Sequence, residues 1–148
     1  DCLLSRGLGD VYKRQVITST DYYPTILEMT NSKMQPQQHL DGISFLALLK
    51  GKKEHLDRDA VYWHFPHYSN QGGRPSGAIR WNNYKLIEFY DTGTVELYDL
   101  SKDISEHNNL VEHNKEFTDE LLNKLHHWRI EVNATMPAKN PLCTTCKQ

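Results

Sequence analysis

The sequence predicts an α+β fold in which a small four-stranded antiparallel sheet packs against a long C-terminal helix. Three observations support this prediction. Between residues 60 and 100, short segments rich in aromatic and β-branched residues alternate with turn residues, as in antiparallel strands. Nearer the C-terminus, apolar residues recur at helical spacing. The 148 residues also suffice for a modest core in one domain of ordinary size.

The strands follow from the first pattern. Asn82-Asn83 and Asp91-Thr92-Gly93 are typical connections of antiparallel hairpins. The predicted strands are Ala60–Phe65, Ala78–Trp81, Tyr84–Tyr90 and Thr94–Leu100. Because side chains alternate along a strand, Trp63 and His64 lie on opposite faces of the sheet. This alternation leaves His64 free to point toward a pocket rather than into the small core.

The longest helix is predicted from an apolar stripe that would lie across one face of the sheet. The stripe consists of Phe117, Leu121, Leu125, Trp128 and Val132. Two short helices are predicted before the sheet, one following residues 19–21 and one at Ser44–Lys50, with Gly51 at its end. Asp21 is interpreted as a cap of the first of these helices.

Composition excludes several classes of partner. The formal net charge is only -2, so we expect no nucleic-acid partner. No apolar run approaches the roughly 18 residues of a membrane span, so we expect no membrane partner. A hydrophobic fraction of 38% argues against disorder.

The candidate functional site is the loop that follows the first predicted strand. It combines hydrogen-bond donors with prolines and glycines, a mixture suited to a polar or anionic ligand. The candidate substrate-binding residues are His64, His67, Asn70 and Arg74. An ordinary long surface loop is the alternative interpretation, since polar loops are common. The sequence has no nucleophile next to a base and no cluster of acidic ligands, so no catalytic residue or metal ligand is assigned.

Several segments match one known family in family order. They are residues 20–27, 40–45, 62–68, 71–75, 78–80, 84–87, 96–100 and 103–110. Typical runs are Tyr-Trp-His-Phe-Pro-His-Tyr at 62–68 and Glu-Leu-Tyr-Asp-Leu at 96–100. Together these segments resemble the C-terminal portion of formylglycine-dependent sulfatases of the arylsulfatase-like type, over roughly residues 16–141.

The resemblance implies a domain organisation. Residues 16–57 would be the C-terminal end of the family's large α/β domain, so the short helices would be left over from a truncated domain. Residues 58–136 would be the C-terminal subdomain, and residues 137–148 an irregular tail. The formylglycine nucleophile and Ca²⁺ would belong to a missing N-terminal domain, an expected partner, since the chain has no Cys-x-Pro-x-Arg or Ser-x-Pro-x-Arg run.

The implied function is hydrolysis of sulfate esters, with sulfated carbohydrates as the first choice of substrate and simple aryl sulfates as the second. The chain would supply part of the substrate pocket and be inactive alone. The family implies a periplasmic or extracellular location. Two alternatives stay open: a non-catalytic carbohydrate-binding or interaction module, and a fragment of a related phosphodiesterase or phosphonate hydrolase.

The two ends of the chain are interpreted separately. Residues 1–15 are expected to be an artefactual leader, because Asp10–Gln15 is the translation of a string that resembles a transposon end used in sequencing-library adapters. They contain no sustained apolar segment before a small-residue cleavage site, so we predict no signal peptide there. Cys143 and Cys146 offer only half of a four-ligand zinc site, which leaves a local disulfide or two free thiols.

Overall fold

The computed structural model describes residues 15–138, which divide into two compact units between Arg58 and Asp59. The interpretations of the leader, apart from Gln15, and of Cys143 and Cys146 concern residues outside the described part.

The first unit contains two short α-helices joined by irregular chain. A single 3₁₀ turn at Ser19–Asp21 leads into α1, Tyr22–Met29, and α2 spans Leu46–Leu49. The second helix is therefore shorter than predicted. Gly51 has a φ of 66° and follows Lys50, the C-cap residue of this helix, as the sequence predicts for a glycine that ends a helix.

Asp21 is the polar centre of the first unit. Its side chain is fully buried and accepts hydrogen bonds from the backbone N–H groups of Thr18, at 2.8 Å, and Ile43, at 2.9 Å. Arg58 donates to both carboxylate oxygens, at 2.9 and 2.5 Å. Burial by itself would raise the pKa of Asp21, but the bonds from Arg58, Ile43 and Thr18 outweigh it and leave the pKa lowered. Asp21 therefore does more than the predicted capping: it joins three segments of the unit.

The second unit is built on a four-stranded antiparallel sheet with strand order β1-β2-β3-β4. The strands are β1 Ala60–Phe65, β2 Ser76–Trp81, β3 Tyr84–Phe89 and β4 Val95–Asp99. Trp81 pairs with Tyr84 across the two-residue turn, where Asn82 adopts a φ of 53°. The predicted fold class is confirmed. The only shift of note is at β2, which begins two residues earlier than predicted.

The long helix α3, Lys115–Glu131, covers one face of this sheet. The core between helix and sheet is apolar and solvent-inaccessible. It consists of Ile79, Leu86, Leu97, Leu121 and Leu125. Tyr62 stacks on Trp128 with ring centroids 4.9 Å apart and planes 7° from parallel. The predicted stripe is therefore the face that packs, although Val132 at its end is half exposed.

The register fixes which side chains share the helix-covered face. Tyr62 lies opposite Ile79, and Ile79 opposite Leu86, so all three belong to this covered face, and His64 belongs to it as well. The open face carries Trp63 and Phe65, which are 44% and 46% exposed. The prediction that alternation frees His64 from the core side is therefore wrong, because the helix packs on the face of Tyr62 and His64.

Candidate functional site

The loop of residues 66–75 joins β1 to β2 and is folded on itself. Ser69 organises its tip: its N–H donates to the carbonyl of Gly73 at 2.9 Å, and its hydroxyl accepts from the N–H of Gly73 at 2.9 Å. Gly72 has a φ of 86°, a conformation that favours glycine. The loop is thus a compact polar structure with an exposed tip rather than an extended connection.

Arg74 ties this loop to the turn between β3 and β4. Its Nε and Nη2 donate to the two carboxylate oxygens of Asp91, at 3.1 and 2.7 Å, and Nη2 also donates to the Thr92 hydroxyl at 3.0 Å. The guanidinium lies 4.5 Å from the centre of the Phe89 ring, and the Tyr68 hydroxyl donates to Asp91 at 3.3 Å. We call these five residues the Arg74 cluster.

The electrostatics of the Arg74 cluster follow from this ion pair. The hydrogen bond from Arg74 holds the pKa of Asp91 below its ordinary value, and the same bond raises the pKa of Arg74. Within residues 15–138, Nη1 of Arg74 makes no hydrogen bond. The Nε and Nη2 edge of Arg74 is therefore occupied by Asp91, and Nη1 is the donor left for a ligand.

His64 belongs to a different group of contacts on the covered face. Its Nδ1 lies 2.8 Å from the Tyr90 hydroxyl and its Nε2 lies 2.9 Å from the carbonyl oxygen of Thr135. A carbonyl only accepts, so Nε2 carries a proton, and in the neutral ring Nδ1 accepts from Tyr90. We call His64, Tyr90 and Thr135 the His64 cluster.

Arg129, Glu88 and the imidazole of His126 lie beside the His64 cluster. The Arg129 guanidinium is 5.1 Å from the centre of the Tyr90 ring and pairs with Glu88 at 2.9 Å. His126 Nε2 lies 3.1 Å from each oxygen of Glu88. Burial raises the pKa of Tyr90, although Arg129 acts in the opposite direction.

The sequence-predicted site residues are not gathered around one hollow. Arg74 stacks on Phe89, which lies on the open face, while His64 lies on the covered face. His67 is exposed and meets the Phe65 ring edge-on at 5.7 Å, and Asn70 is exposed at the loop tip. Since the sheet separates Arg74 from His64, we expect them to act on different groups. The binding role of all four residues stays a prediction.

Sequence reasoning missed the partners of these residues. Asp91 was read only as a hairpin residue, and Tyr90 only as the end of a strand. Both contacts span more than fifteen positions, 17 for Arg74–Asp91 and 26 for His64–Tyr90, so they depend on strand register. Gly77 was a usable signal: it lies opposite His64, and a Cβ there would overlap the Tyr90 hydroxyl.

Two of the cavities lined by described residues of the second unit lie away from loop 66–75. One, of about 430 Å³, is at the C-terminal end of α3 and is lined partly by Arg129, Ile130 and Met136. The other, of about 460 Å³, is a groove on the open face, with Trp63, Ala78 and Ile87 among its lining residues. Neither is lined by any of the four predicted site residues.

The described residues contain no group of three or more His, Cys, Asp or Glu side chains that could hold a metal ion. Among the same residues, no helix has the length and apolar character needed to cross a bilayer. The resemblance places the Ca²⁺ site in a missing N-terminal domain, and that expectation stays a prediction.

A match to a family model shows the family to which the chain belongs. The model describes the C-terminal part of N-sulphoglucosamine sulphohydrolase and matches residues 9–133. The chain belongs to this sulfatase family. This match confirms the resemblance to the C-terminal part of sulfatases.

Similar proteins agree with this assignment. A protein of Formosa agariphila described as a sulfatase is 32% identical over 139 residues, covering 85% of this chain and 25% of that protein. A protein solved in complex with its substrate D-glucosamine-2-N,6-O-disulfate is 25% identical with a TM-score of 0.65, over 79% of this chain and 24% of the other.

A further hydrolase has a similar fold. The phosphonate monoester hydrolase of Agrobacterium radiobacter is 22% identical, with a TM-score of 0.57 over 79% of this chain and 25% of the other. At this identity the likeness concerns the fold alone. The sulfatase chain thus spans about a quarter of the length of each of these relatives.

Proposed function

We propose that this chain is the C-terminal part of an enzyme that hydrolyses sulfate esters of carbohydrates, and that loop 66–75 forms part of its substrate pocket. The substrate class is supported by the family match and by the relative that binds a disulfated glucosamine. The chain by itself is expected to be inactive. A periplasmic or extracellular location belongs to the same proposal.

The observation that carries the proposal is the way loop 66–75 is held. Its base is fixed by the bidentate pair between Arg74 and Asp91, and Ser69 closes its tip. A loop that is already ordered loses less conformational entropy when a ligand binds. The loop that carries the exposed side chains of His67 and Asn70 is thereby held, and both can donate to a sulfate oxygen or a sugar hydroxyl.

Arg74 has a double role in this proposal. Its Nε and Nη2 edge binds Asp91, which fixes the guanidinium plane. Nη1 then offers one charge-assisted hydrogen bond to an anionic group of the substrate. His64, held between Tyr90 and Thr135, supports the end of β1 from which the loop departs.

The nucleophile and the metal are proposed to lie in the part of the enzyme that this chain does not include. A formylglycine and Ca²⁺ would supply nucleophilic attack and charge stabilisation there. None of the residues described above is assigned to either group, since they form no metal-ligand cluster. This chain would bind and orient the substrate.

The test uses a sulfatase chimera in which this chain replaces the matching segment, 25% of the Formosa agariphila protein. We expect Arg74→Ala and His67→Ala each to lower kcat/KM for a sulfated oligosaccharide by about one to two powers of ten. Lys102→Ala is the control, because this exposed lysine lies at the opposite end of the sheet. Unchanged kinetics in both loop variants would remove loop 66–75 from the pocket.

A second candidate is a phosphodiesterase or phosphonate hydrolase, favoured only by the shared fold of the Agrobacterium radiobacter enzyme. The upstream reading frame of the gene separates the possibilities. A formylglycine motif with paired aspartates there supports the sulfatase. An upstream frame without a nucleophile region supports a non-catalytic carbohydrate-binding module.

A further inference from the structure

A small hollow lies between the C-terminal half of α3 and the start of β1, at the end of the strand away from loop 66–75. Its volume is about 190 Å³. Ligand pockets usually measure roughly 300–1,000 Å³, so this hollow suits a single ring rather than a larger molecule. We call it the aromatic hollow, and its lining residues are Asp59, Ala60, Tyr62, Trp81, Lys124, His127, Trp128 and Glu131.

Both walls of the aromatic hollow follow from the periodicity of the sequence. On α3, the lining residues stand at positions 124, 127, 128 and 131, a spacing that places side chains on one face of a helix. On the sheet, Ala60 lies opposite Trp81, and Tyr62 is two residues further along β1, so all three belong to the covered face. The methyl group of Ala60 is too short to fill the space between the two rings. The hollow therefore exists because an alanine stands among large aromatic residues.

The aromatic rings of the hollow are held by other side chains. Tyr62 and Trp128 stack on each other with ring centroids 4.9 Å apart. Trp81 packs against Phe117 with ring centroids 5.8 Å apart. All three lining rings are only partly buried, so part of each remains accessible. Since these rings are already ordered, a ligand would bind with little loss of conformational entropy.

The polar groups of the hollow are mainly hydrogen-bond acceptors. Asp59 and Glu131 contribute carboxylates, and Glu131 Oε1 lies 3.2 Å from His127 Nε2. Burial raises the pKa of the Tyr62 phenol, and the charges of Glu131 and Asp59 raise it further. The Tyr62 hydroxyl therefore keeps its proton at neutral pH, and within residues 15–138 it makes no hydrogen bond. A ligand in the hollow would meet this hydroxyl and two carboxylates.

We propose that the aromatic hollow binds one unsulfated pyranose unit of a carbohydrate chain. Hydroxyl groups of the sugar would donate to Asp59 and Glu131, while its apolar C–H groups would lie against the rings. A sulfate group would be repelled by the same two carboxylates. Lys124 offsets this repulsion only in part, because its Nζ lies 3.4 Å from Glu120, which is not a lining residue. The inference rests on the proposed function, which supplies the carbohydrate as the class of ligand.

This site would complement loop 66–75 without overlapping it. A strand rises about 3.3 Å per residue, so Ala60 at the hollow and Phe65 at the start of the loop are about 17 Å apart along β1. A carbohydrate chain that reached both places would have a higher effective concentration of its sulfated unit at the loop. The hollow would thus bind the chain at a unit that carries no sulfate.

The test is a titration of the complete 148-residue chain with two sugars, followed by NMR of the indole N–H signals. The chain has three tryptophans: Trp81 and Trp128 line the hollow, and Trp63, on the open face, is an internal reference. N-acetyl-D-glucosamine is expected to shift the signals of Trp81 and Trp128 and to leave that of Trp63 unchanged. D-glucosamine-2-N,6-O-disulfate is expected to bind at least about ten-fold more weakly, because of its charges.

A first pair of variants tests the shape of the hollow. Ala60→Leu fills it without removing a ring, and should weaken binding of N-acetyl-D-glucosamine at least about ten-fold through steric overlap. Ala78→Leu makes the same change on the open face and is the matched control. It is expected to bind the sugar like the wild type.

A second set of variants does not depend on packing, because the altered side chains are exposed. The double variant Asp59→Asn with Glu131→Gln should bind the two sugars with similar affinity, since the repelling carboxylates are gone. Glu116→Gln, in the first turn of α3, is the control and should keep the preference for the unsulfated sugar.

Several outcomes would overturn the proposal. One is the absence of any shift of Trp81 and Trp128 at about 50 mM N-acetyl-D-glucosamine, a concentration that would saturate a site with a millimolar Kd. Equal shifts of all three indole signals would show a non-specific effect, and tighter binding of the disulfate would show an anion site. These measurements need neither turnover nor the chimera. They therefore stand if the kinetics of Arg74→Ala remove loop 66–75 from the pocket, and the reverse also holds.

Discussion

Both faces of the sheet carry large apolar side chains, but α3 lies against only one of them, and the open face also carries Arg80, Lys85 and Glu96. On the covered face, Ile79, Leu86 and Leu97 are fully buried against α3. On the open face, Trp63 and Phe65 remain about half exposed. Hydrophobicity alone therefore does not tell which face forms the core. The difference teaches that the stability of the second unit comes mainly from the face that α3 covers.

The largest effect is expected on the covered face. Leu97→Ala would remove a side chain that is fully buried between Leu86 and the helix, and should lower the free energy of unfolding by about 2–5 kcal/mol through lost burial and a residual cavity. Urea denaturation of the isolated chain, followed by far-UV circular dichroism, measures this. If the free energy of unfolding fell as little as for a substitution at an exposed position, the assignment of Leu97 to the core would be wrong.

A smaller effect is expected at Gly77, also on the covered face. In Gly77→Ala the new methyl group would occupy the position of the Tyr90 hydroxyl, so Tyr90 must move and its bond to His64 is lost. We expect a destabilisation of about 1–3 kcal/mol, as for other overpacked sites. The double variant with Tyr90→Phe should recover part of that loss, because the phenyl ring lacks the oxygen that clashes. No recovery would mean that the clash is not the cause.

Tyr98 lies on the open-face side of β4, and its ionisation is expected to lower the stability of the fold only at alkaline pH. Burial raises the pKa of its phenol to about 12, and the hydrogen bond to Glu96 acts in the same direction. A raised folded pKa means that this contribution to stability is complete below pH ~10 and is lost as the pH rises toward 12. Tyr98→Phe should remove the latest step of the tyrosine absorbance titration at 295 nm. A titration in which that step persists would contradict the assignment.

The smallest effect is expected from Ile87→Ala on the open face. Ile87 lines the groove and is only partly buried, so its truncation in the isolated chain should cost less than about 1.5 kcal/mol. Urea denaturation of the isolated chain measures it, and a loss as large as that of Leu97→Ala would remove the distinction between the faces.

Much of the fold could be predicted because it depends on local patterns. The bounds of β1 are those of the sequence prediction, and the stripe of α3 was found from its spacing. The start of β2 was missed because Ser76 and Gly77 read as loop residues. The covered face was misassigned because Trp63 and Phe65 are the larger apolar residues of β1. The helix instead packs on the face of Ile79 and Leu86, which the register places on the side of Tyr62.

The candidate site could be predicted only as a list of residue types. His64, His67, Asn70 and Arg74 are close in sequence, and their proximity in the chain suggested a shared hollow. Side-chain direction and distant partners separate two of these residues, because Arg74 binds Asp91 and His64 forms a hydrogen bond with Tyr90. Both partners follow β3, so only the pairing of β3 with β2 brings them to this end of the sheet.

The buried pair of Asp21 and Arg58 has a practical consequence for anyone who shortens this chain. Arg58 is the last residue of the first unit, and its carboxylate partner stands 37 positions earlier. A recombinant version that starts between residues 22 and 58 would keep the largely buried guanidinium of Arg58. It would lack the carboxylate of Asp21, which neutralises that charge. Expression of the β-rich half alone is best begun at Asp59.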